Sequence, residues 1–175
     1  MFEWLWLRFY PCFMVSSCIV VLFCFCIVPN VICHSLFLFH HDQNWINNLN
    51  TGTLGANAEV VVAPPAPYLA STLGKLRKDV GIAAQDVRAG GNGAHTGEVS
   101  AEMLTDMGVK YSIIGHSERR AAGESSELVG EKVKYAVSKG LTSIACVGET
   151  KAERDANNTF KVIDEQLAVS SHQHR

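Results

Sequence analysis

Beyond residue 50, apolar and polar residues alternate in blocks along the chain. Four short blocks are apolar at successive positions and rich in β-branched residues, which indicates strands covered on both faces. Their starts are spaced 22, 30 and 31 residues apart, which leaves room for a helix between successive strands. This alternation predicts an α/β fold with a parallel sheet and right-handed crossovers. The strands are expected at Glu59–Ala63, Gly81–Gln85, Tyr111–Gly115 and Thr142–Gly148.

Helical patterns fill the segments between these blocks, and capping residues mark their ends. Ser100 is expected to open one helix and Gly108 to close it, while Gly140 ends the next. Residues 151–169 predict one further helix. The side chains expected to face the core are Leu69, Leu73, Leu76, Met103, Leu104, Met107, Leu128, Val129, Val133, Ala136, Val137, Phe160, Ile163 and Leu167.

Two architectures fit this pattern, an open doubly wound sheet and a (β/α)8 barrel. The glycine-rich stretch Ala89–Gly97 lacks the G-x-G-x-x-G spacing that leads into a helix, so it does not predict a dinucleotide site. In a barrel, chemistry gathers at the carboxyl ends of the strands. The expected strand ends here bring polar groups to one rim, namely Gln85, Asp86, His116, Ser117, Glu118 and Glu149.

The N-terminal part of the chain has a different character. No Asp, Glu, Lys or Arg occurs from Phe9 to His41, and five of the six cysteines lie in that run. Residues 12–28 are at the short limit for a membrane-spanning helix, which needs roughly 17–25 apolar residues. A signal peptide and a foreign or spliced-in leader are the alternatives. We therefore expect a leader at 1–43, a partial barrel domain at 44–169 and a divergent tail at 170–175.

The charge balance and the isolated motifs argue against two classes of ligand, nucleic acid and metal ions. With 15 Lys and Arg against 17 Asp and Glu, the chain offers no electrostatic case for binding nucleic acid. The pairs His40–His41 and His172–His174 have no metal-site spacing, so no metal is expected. Cys146 is interpreted as a small core residue.

The stretch Ile113–Arg120 carries the main candidate chemistry. His116 either caps a strand or acts in catalysis, and the residues after it can begin a helix whose N-terminus disfavours an imidazolium. A neutral imidazole can donate a hydrogen bond to a carbonyl oxygen. Arg119 and Arg120 are expected to be structural partners of Glu98, Glu118 or Glu124, and Glu149 to cap the next helix.

Six blocks, in order, resemble the triosephosphate isomerase family. They are EVVVAPP, GIAAQD, GAHTGEVS, IIGHSERR, GESSELVGEKV and IACVGET, and they span about residues 46–169. In that family a neutral histidine beside a helix N-terminus is the electrophile, and it works with a glutamate base. The resemblance implies a (β/α)8 barrel and the interconversion of dihydroxyacetone phosphate and glyceraldehyde 3-phosphate without a cofactor.

The same resemblance implies roles for individual residues. His116 would be the electrophile, and Ser117 and Glu118 would position the base and a lysine on the phosphate side. A loop from Asp86 to Ser100 would reach into a second subunit of a homodimer, with Arg119 paired to Glu98 or Glu124 nearby. The dimer-loop residues are Gln85, Thr96, Gly97, Glu98 and Arg119. The implied location is the cytoplasm, with membrane association through residues 12–28 as the alternative.

The chain also departs from the family pattern. Such barrels take about 250 residues, and the resemblance here covers four to five βα units, without the glutamate segment, the lid or the phosphate loops. Either residues 43–48 echo the first strand, with Ile46 in place of its lysine, or residues 46–54 are the tail of the first helix. The hypotheses are an isomerase-family chain that is inactive by itself, or a non-catalytic truncated or spliced form that acts by association or membrane attachment.

An incomplete barrel also predicts a stability problem. The outer strands Glu59–Ala63 and Thr142–Gly148 would each leave an unpaired backbone edge. Inward side chains such as Val61 and Ile144 would lose their neighbours and face water. At roughly 25 cal/mol per Å², a few hundred Å² of apolar surface left in water costs several kcal/mol. The free energy of unfolding of a typical domain is only about 5–15 kcal/mol. We therefore expect residues 46–175 alone to be aggregated or molten.

Overall fold

The computed structural model describes residues 14–15, 18–22, 44–54 and 59–171. Their strands form one sheet in the order β1-β2-β6-β5-β4-β3. The strands are β1 (Met14–Val15), β2 (Cys18–Leu22), β3 (Val60–Val62), β4 (Val80–Ala84), β5 (Tyr111–Ile114) and β6 (Thr142–Val147). The helices are α1 (Asn44–Thr51), α2 (Leu69–Leu73), α3 (Ala101–Asp106), α4 (Ser117–Ala121), α5 (Ser126–Ser138), α6 (Lys151–Asp155) and α7 (Thr159–Ser171).

The four strands predicted from the apolar blocks are β3 to β6, and all lie within about two residues of their expected bounds. They pair in chain order and in parallel, with β3 beside β4, β4 beside β5, and β5 beside β6. Helices follow each strand. Consecutive parallel strands with helical crossovers are part of a (β/α)8 barrel, so the predicted fold class is confirmed.

Side chains alternate between the two faces of these strands and form two separate cores. One face packs against the helices, where Val62, Ile82 and Ile114 join buried side chains such as Leu104 and Val133. The opposite face forms a smaller cluster of Val61, Ala63, Ala83, Ile113, Ile144 and Cys146, with Tyr111 packed against it. The interpretation of Cys146 as a core residue is confirmed.

The expectation that the inner face would meet water is wrong. Val61 and Ile144 are 2% and 1% exposed. These side chains of neighbouring strands form one buried cluster, against which Tyr111 packs.

The prediction that two methionines lie in the core is also wrong. Met103 and Met107 are 43% and 40% exposed, whereas Ala101 and Leu104 are fully buried. Helix α3 is short, so residues 101 and 104 supply its core contact. Met103 and Met107 lie four positions apart and therefore share another side of the helix.

The predicted helix over residues 151–169 is broken into α6 and α7. Thr150 opens α6 with a capping box to Glu153. Asn157 then takes a left-handed conformation (φ 59°) that ends the helix, a conformation that Asn tolerates better than most residues. The break turns Phe160 outward, so its predicted core position is wrong; it is 66% exposed.

The region before β3 settles one alternative from the sequence. Asn44–Thr51 is a helix, and Ile46 is buried in the helix-side core. Residues 43–48 are therefore not a first strand, and the alignment that assigns residues 46–54 to the end of a helix is the better one.

The apolar leader contributes strands at the positions where it is described. Cys18–Leu22 pairs in parallel with β6, and Met14–Val15 pairs antiparallel with Cys18–Leu22. Within the described residues no helix is long and apolar enough to cross a membrane. The remainder of residues 12–28, and the paired histidines at 40–41 and 172–174, lie outside the described residues.

This pairing corrects the expectation that β6 would have an open edge. Residues Ser143, Ile144 and Ala145 are each paired on both sides, with β5 on one and β2 on the other. The prediction was wrong because the leader was treated as a separate segment.

Candidate functional site

Polar residues follow the carboxyl ends of neighbouring strands, as the sequence predicted. Because β3 to β6 are parallel, Gln85, His116 and Glu149 all emerge on the same rim. The Gln85 side-chain amide donates to the Ala63 carbonyl at 2.9 Å. That bond ties the end of β4 to the end of β3.

A glycine sets the direction in which His116 leaves β5. Gly115 has a φ of +77°, and a Cβ there would meet Val129 Cγ1 at 2.7 Å and the Cys146 carbonyl at 3.2 Å. Only glycine fits this turn without strain. The turn brings His116 to the N-cap position of α4.

The ring of His116 is held in one orientation by the start of α4. The backbone N–H of Glu118 donates to His116 Nδ1 at 3.2 Å. The Glu118 carboxylate lies 3.7 Å from the same nitrogen, which is too long for a hydrogen bond. An imidazole that accepts at Nδ1 carries its proton on Nε2, so the ring of His116 can act as a donor at this rim.

Arg120 fastens the turn that carries His116. Its guanidinium donates to the Gly115 carbonyl (2.9 Å), to Ser126 Oγ (3.0 Å) and to the Cys146 carbonyl (3.3 Å). These partners lie directly after β5, on α5 and on β6, so one side chain links three elements. Burial lowers the pKa of Arg120 below its ordinary value. The groups to which Arg120 donates are uncharged, and of the carboxylates expected as its partners Glu124 acts on it only through its charge, which raises the pKa of Arg120.

Arg119 points to a different group, a cluster of two cations and two carboxylates. Arg119 contacts Glu124 at 2.6 Å and Asp86 at 3.3 Å, and Lys132 contacts the same two carboxylates at 2.7 and 2.8 Å. Lys132 and Glu124 are buried. Burial raises the pKa of Glu124, but hydrogen bonds from Lys132 and Arg119 outweigh it and hold the pKa below its usual value. The cluster joins β4's end to α4 and α5.

A groove of about 250 Å³ brings together four of the five predicted dimer-loop residues. They are Gln85, Gly97, Glu98 and Arg119. Of the two partners expected for Arg119, the ion pair forms with Glu124, while Glu98 pairs with Arg88 at 2.9 Å. Thr96 is exposed on the same loop.

Glu149 does not cap α6, so that expectation is wrong. Thr150 is the N-cap residue, and Glu149 accepts hydrogen bonds from Arg154 (2.7 Å) and Thr159 (3.3 Å). Burial raises the pKa of Glu149, but the hydrogen bonds that its carboxylate accepts and the charge of Arg154 together outweigh burial, so the pKa lies below its usual value. The carboxylate therefore joins α6 to α7.

Sequence reasoning found His116 and placed Asp86 at the rim, because Asp86 directly follows Gln85 at a strand end. It missed the ion pairs of Asp86, the part of Lys132 in them and the role of Arg120. Nothing in the sequence marks Lys132, which sits on the buried side of α5 only because Glu124 and Asp86 face it. Among the described residues no group of three His, Cys, Asp or Glu side chains could hold a metal ion.

The comparison with known proteins agrees with this geometry. A family model described as triosephosphate isomerase matches residues 27–175. The chain belongs to the triosephosphate isomerase family. The family match therefore includes β3 to β6 and the His116 turn, and it begins after β2.

Three curated relatives show how far the likeness extends. The triosephosphate isomerase of Neurospora crassa is 50% identical over 126 residues, which are 71% of this chain and 51% of the relative. That of Delftia acidovorans is 51% identical over 121 residues, 68% of this chain and 49% of the relative. The chloroplastic enzyme of Arabidopsis thaliana is 46% identical over 123 residues, 70% and 39% of the two chains. This chain spans about half the length of the first two relatives.

Proposed function

We propose that residues 59–171 supply the histidine-bearing part of a triosephosphate isomerase active site. The reaction would interconvert dihydroxyacetone phosphate and glyceraldehyde 3-phosphate. The supporting observation is the orientation of His116, whose Nδ1 accepts from the Glu118 amide and so leaves the proton on Nε2. A neutral donor there can stabilise the oxyanion of an enediolate intermediate, as established for the family.

Ser117 and Glu118 are proposed to position groups around His116. Glu118 already fixes the imidazole through its backbone N–H, and its carboxylate is exposed at the start of α4. An exposed carboxylate beside the histidine is suited to hold a neighbouring cation or to orient a base. Ser117 is exposed in the first turn of the same helix.

We propose that these 175 residues alone give no turnover above background. Proton abstraction needs a base, and general base catalysis contributes typically 10²–10⁴-fold. Among the described carboxylates near the His116 rim, Glu124 is held by Lys132 and Arg119, and Glu149 by Arg154 and Thr159. Glu118 is adjacent to His116 in the chain, on the same side of the substrate position. The second hypothesis, a non-catalytic form that acts by association, shares this expectation.

A homodimer is part of the proposal. The groove beside Arg119 and the exposed methionines of α3 lie at or near the loop that the resemblance assigns to the subunit contact. Met103 and Met107 are large apolar side chains that a second copy would cover. A cytoplasmic location stays a prediction from the resemblance.

The test of the active-site proposal is a chimera. Residues 59–169 replace the equivalent stretch of the Neurospora crassa relative, and turnover of glyceraldehyde 3-phosphate is followed in a coupled assay. We expect the chimera to be active and the same chimera with His116→Gln to lose about 10²–10⁴-fold in kcat. The 175-residue chain, assayed in parallel, should stay at background.

The matched control is Lys78→Gln in the same chimera. Lys78 is exposed just before β4, at the opposite end of the strands from His116, so kcat should not change. A folded chimera without activity, or one in which His116→Gln has no effect, would contradict the active-site proposal. Turnover by the 175-residue chain that depends on His116 would contradict only its predicted inactivity.

A further inference from the structure

The β1–β2 hairpin occupies a position that the barrel pattern assigns to another strand. In a (β/α)8 barrel each strand lies between those that precede and follow it in the chain. β6 has β5 on one side. Its other side therefore belongs to the strand that would follow α7. In this structure Cys18–Leu22 lies there instead.

The pairing of β2 with β6 has the orientation and length expected of neighbouring barrel strands. All five residues of β2 have register partners in β6, from Cys18 opposite Ser143 to Leu22 opposite Val147. The two strands are parallel, as barrel neighbours are. The residues of β2 nevertheless lie outside the family match, which begins at residue 27.

We propose that residues 14–22 are a built-in edge cap, a hairpin that binds the outer edge of β6 and holds the place of the next barrel strand. The edge of a strand offers one row of N–H and C=O groups and can pair with one partner at a time. The hairpin and a completing strand therefore exclude each other. While the hairpin is bound there, the outer edge of β6 cannot pair with another chain or with a further barrel strand.

The proposal does not depend on the isomerase function, because it concerns which strand pairs with β6. The other side of β2 supports the role of a cap. Among the residues that the structure describes, β1 pairs with Cys18 and Ile19 of β2, in antiparallel register. The hairpin thus ends the sheet with a short two-residue strand, a common way in which proteins protect an edge.

Proline substitutions in the full chain test the pairing. Successive residues of a strand direct their N–H groups to opposite edges, so one of Val20→Pro and Val21→Pro removes a bond to β6 and the other serves as its matched control. We expect one variant to accelerate hydrogen exchange at the amides of Ser143–Val147 by about tenfold or more, with little change in β4. No acceleration of the β6 amides by either variant would overturn the proposal.

A disulfide between β2 and β6 tests the same pairing without introducing proline. In a full-length chain with Ser at positions 12, 18, 24, 26 and 33, Val21→Cys places a thiol at the register partner of Cys146. Neighbouring strands lie about 4.8 Å apart, within the Cα separation of a disulfide. Val20→Cys is the control, because the register partner of residue 20 is Ala145 and not Cys146.

Oxidative refolding followed by mass spectrometry of the unreduced peptides should show the 21–146 disulfide and at least about tenfold less of the 20–146 disulfide. Equal yields of the two, or neither, would mean that β2 does not sit on β6 in this register, and the proposal would fail.

Discussion

At the residue scale, the site depends on the hydrogen bonds that hold the turn between β5 and α4. His116 could be predicted from the sequence, because a polar residue directly after an apolar strand is typical of a barrel rim. The partners of Arg120 could not be predicted, since two of them are backbone carbonyls, one directly after β5 and one in β6, that meet only in the folded sheet. The same holds for Lys132, whose carboxylates come from separate elements.

Arg120→Lys tests this fastening. A lysine cannot reach three divergent acceptors with one ammonium group, so we expect the free energy of unfolding to fall by about 2 kcal/mol. Urea denaturation of the full chain measures it. Arg154→Lys is the control: the side chain of Arg154 is 58% exposed, and its loss should be below about 1 kcal/mol. Equal losses for the two variants would contradict a special role for Arg120.

At the element scale, the period of the apolar residues predicted the strands and most helices, but not how closely the helices pack. Gly130 lies in the middle of α5, where its sequence neighbours predict an ordinary helix. A Cβ at Gly130 would meet Val169 Cγ1 at 2.8 Å and the Val169 carbonyl oxygen at 3.0 Å. The approach of α7 to α5 therefore requires a glycine there. The break at Asn157 likewise depends on a single backbone conformation.

Gly130→Ala is expected to reverse the usual effect of this substitution. In an exposed helix the change would stabilise by about 1 kcal/mol. Here the clash with a backbone atom should destabilise the chain by about 1–3 kcal/mol, as measured by its thermal or urea midpoint. Lys134→Ala, at an exposed position of the same helix, should change stability by less than about 0.5 kcal/mol. Stabilisation by Gly130→Ala would show that α7 does not pack on α5 as described.

At the scale of the whole molecule, the barrel class followed from the alternation of strands and helices, whereas the role of the leader did not. An uncharged run of residues fits a membrane helix, a signal or a strand equally well by composition. Which of these it adopts depends on β6, a partner more than 100 residues away in the chain. The sequence prediction of an open β6 edge failed for that reason.

Residues 46–175 expressed alone should still be aggregated or molten. Without β2, the backbone edge of Ser143–Val147 has no partner from the described strands other than β5. Near-ultraviolet circular dichroism and a thermal melt, compared with the full chain, measure the difference. A cooperative melt with fixed aromatic signals in the shortened chain would contradict this prediction.

The central claim is that the β5–α4 turn presents a neutral imidazole as a hydrogen-bond donor. Nitrogen-15 NMR of the full chain with labelled histidine, at neutral pH and with His116→Gln for assignment, tests it most directly. The orientation set by the Glu118 amide predicts an unprotonated Nδ1 and a proton on Nε2 of His116. A doubly protonated ring, or a proton on Nδ1, would contradict the account.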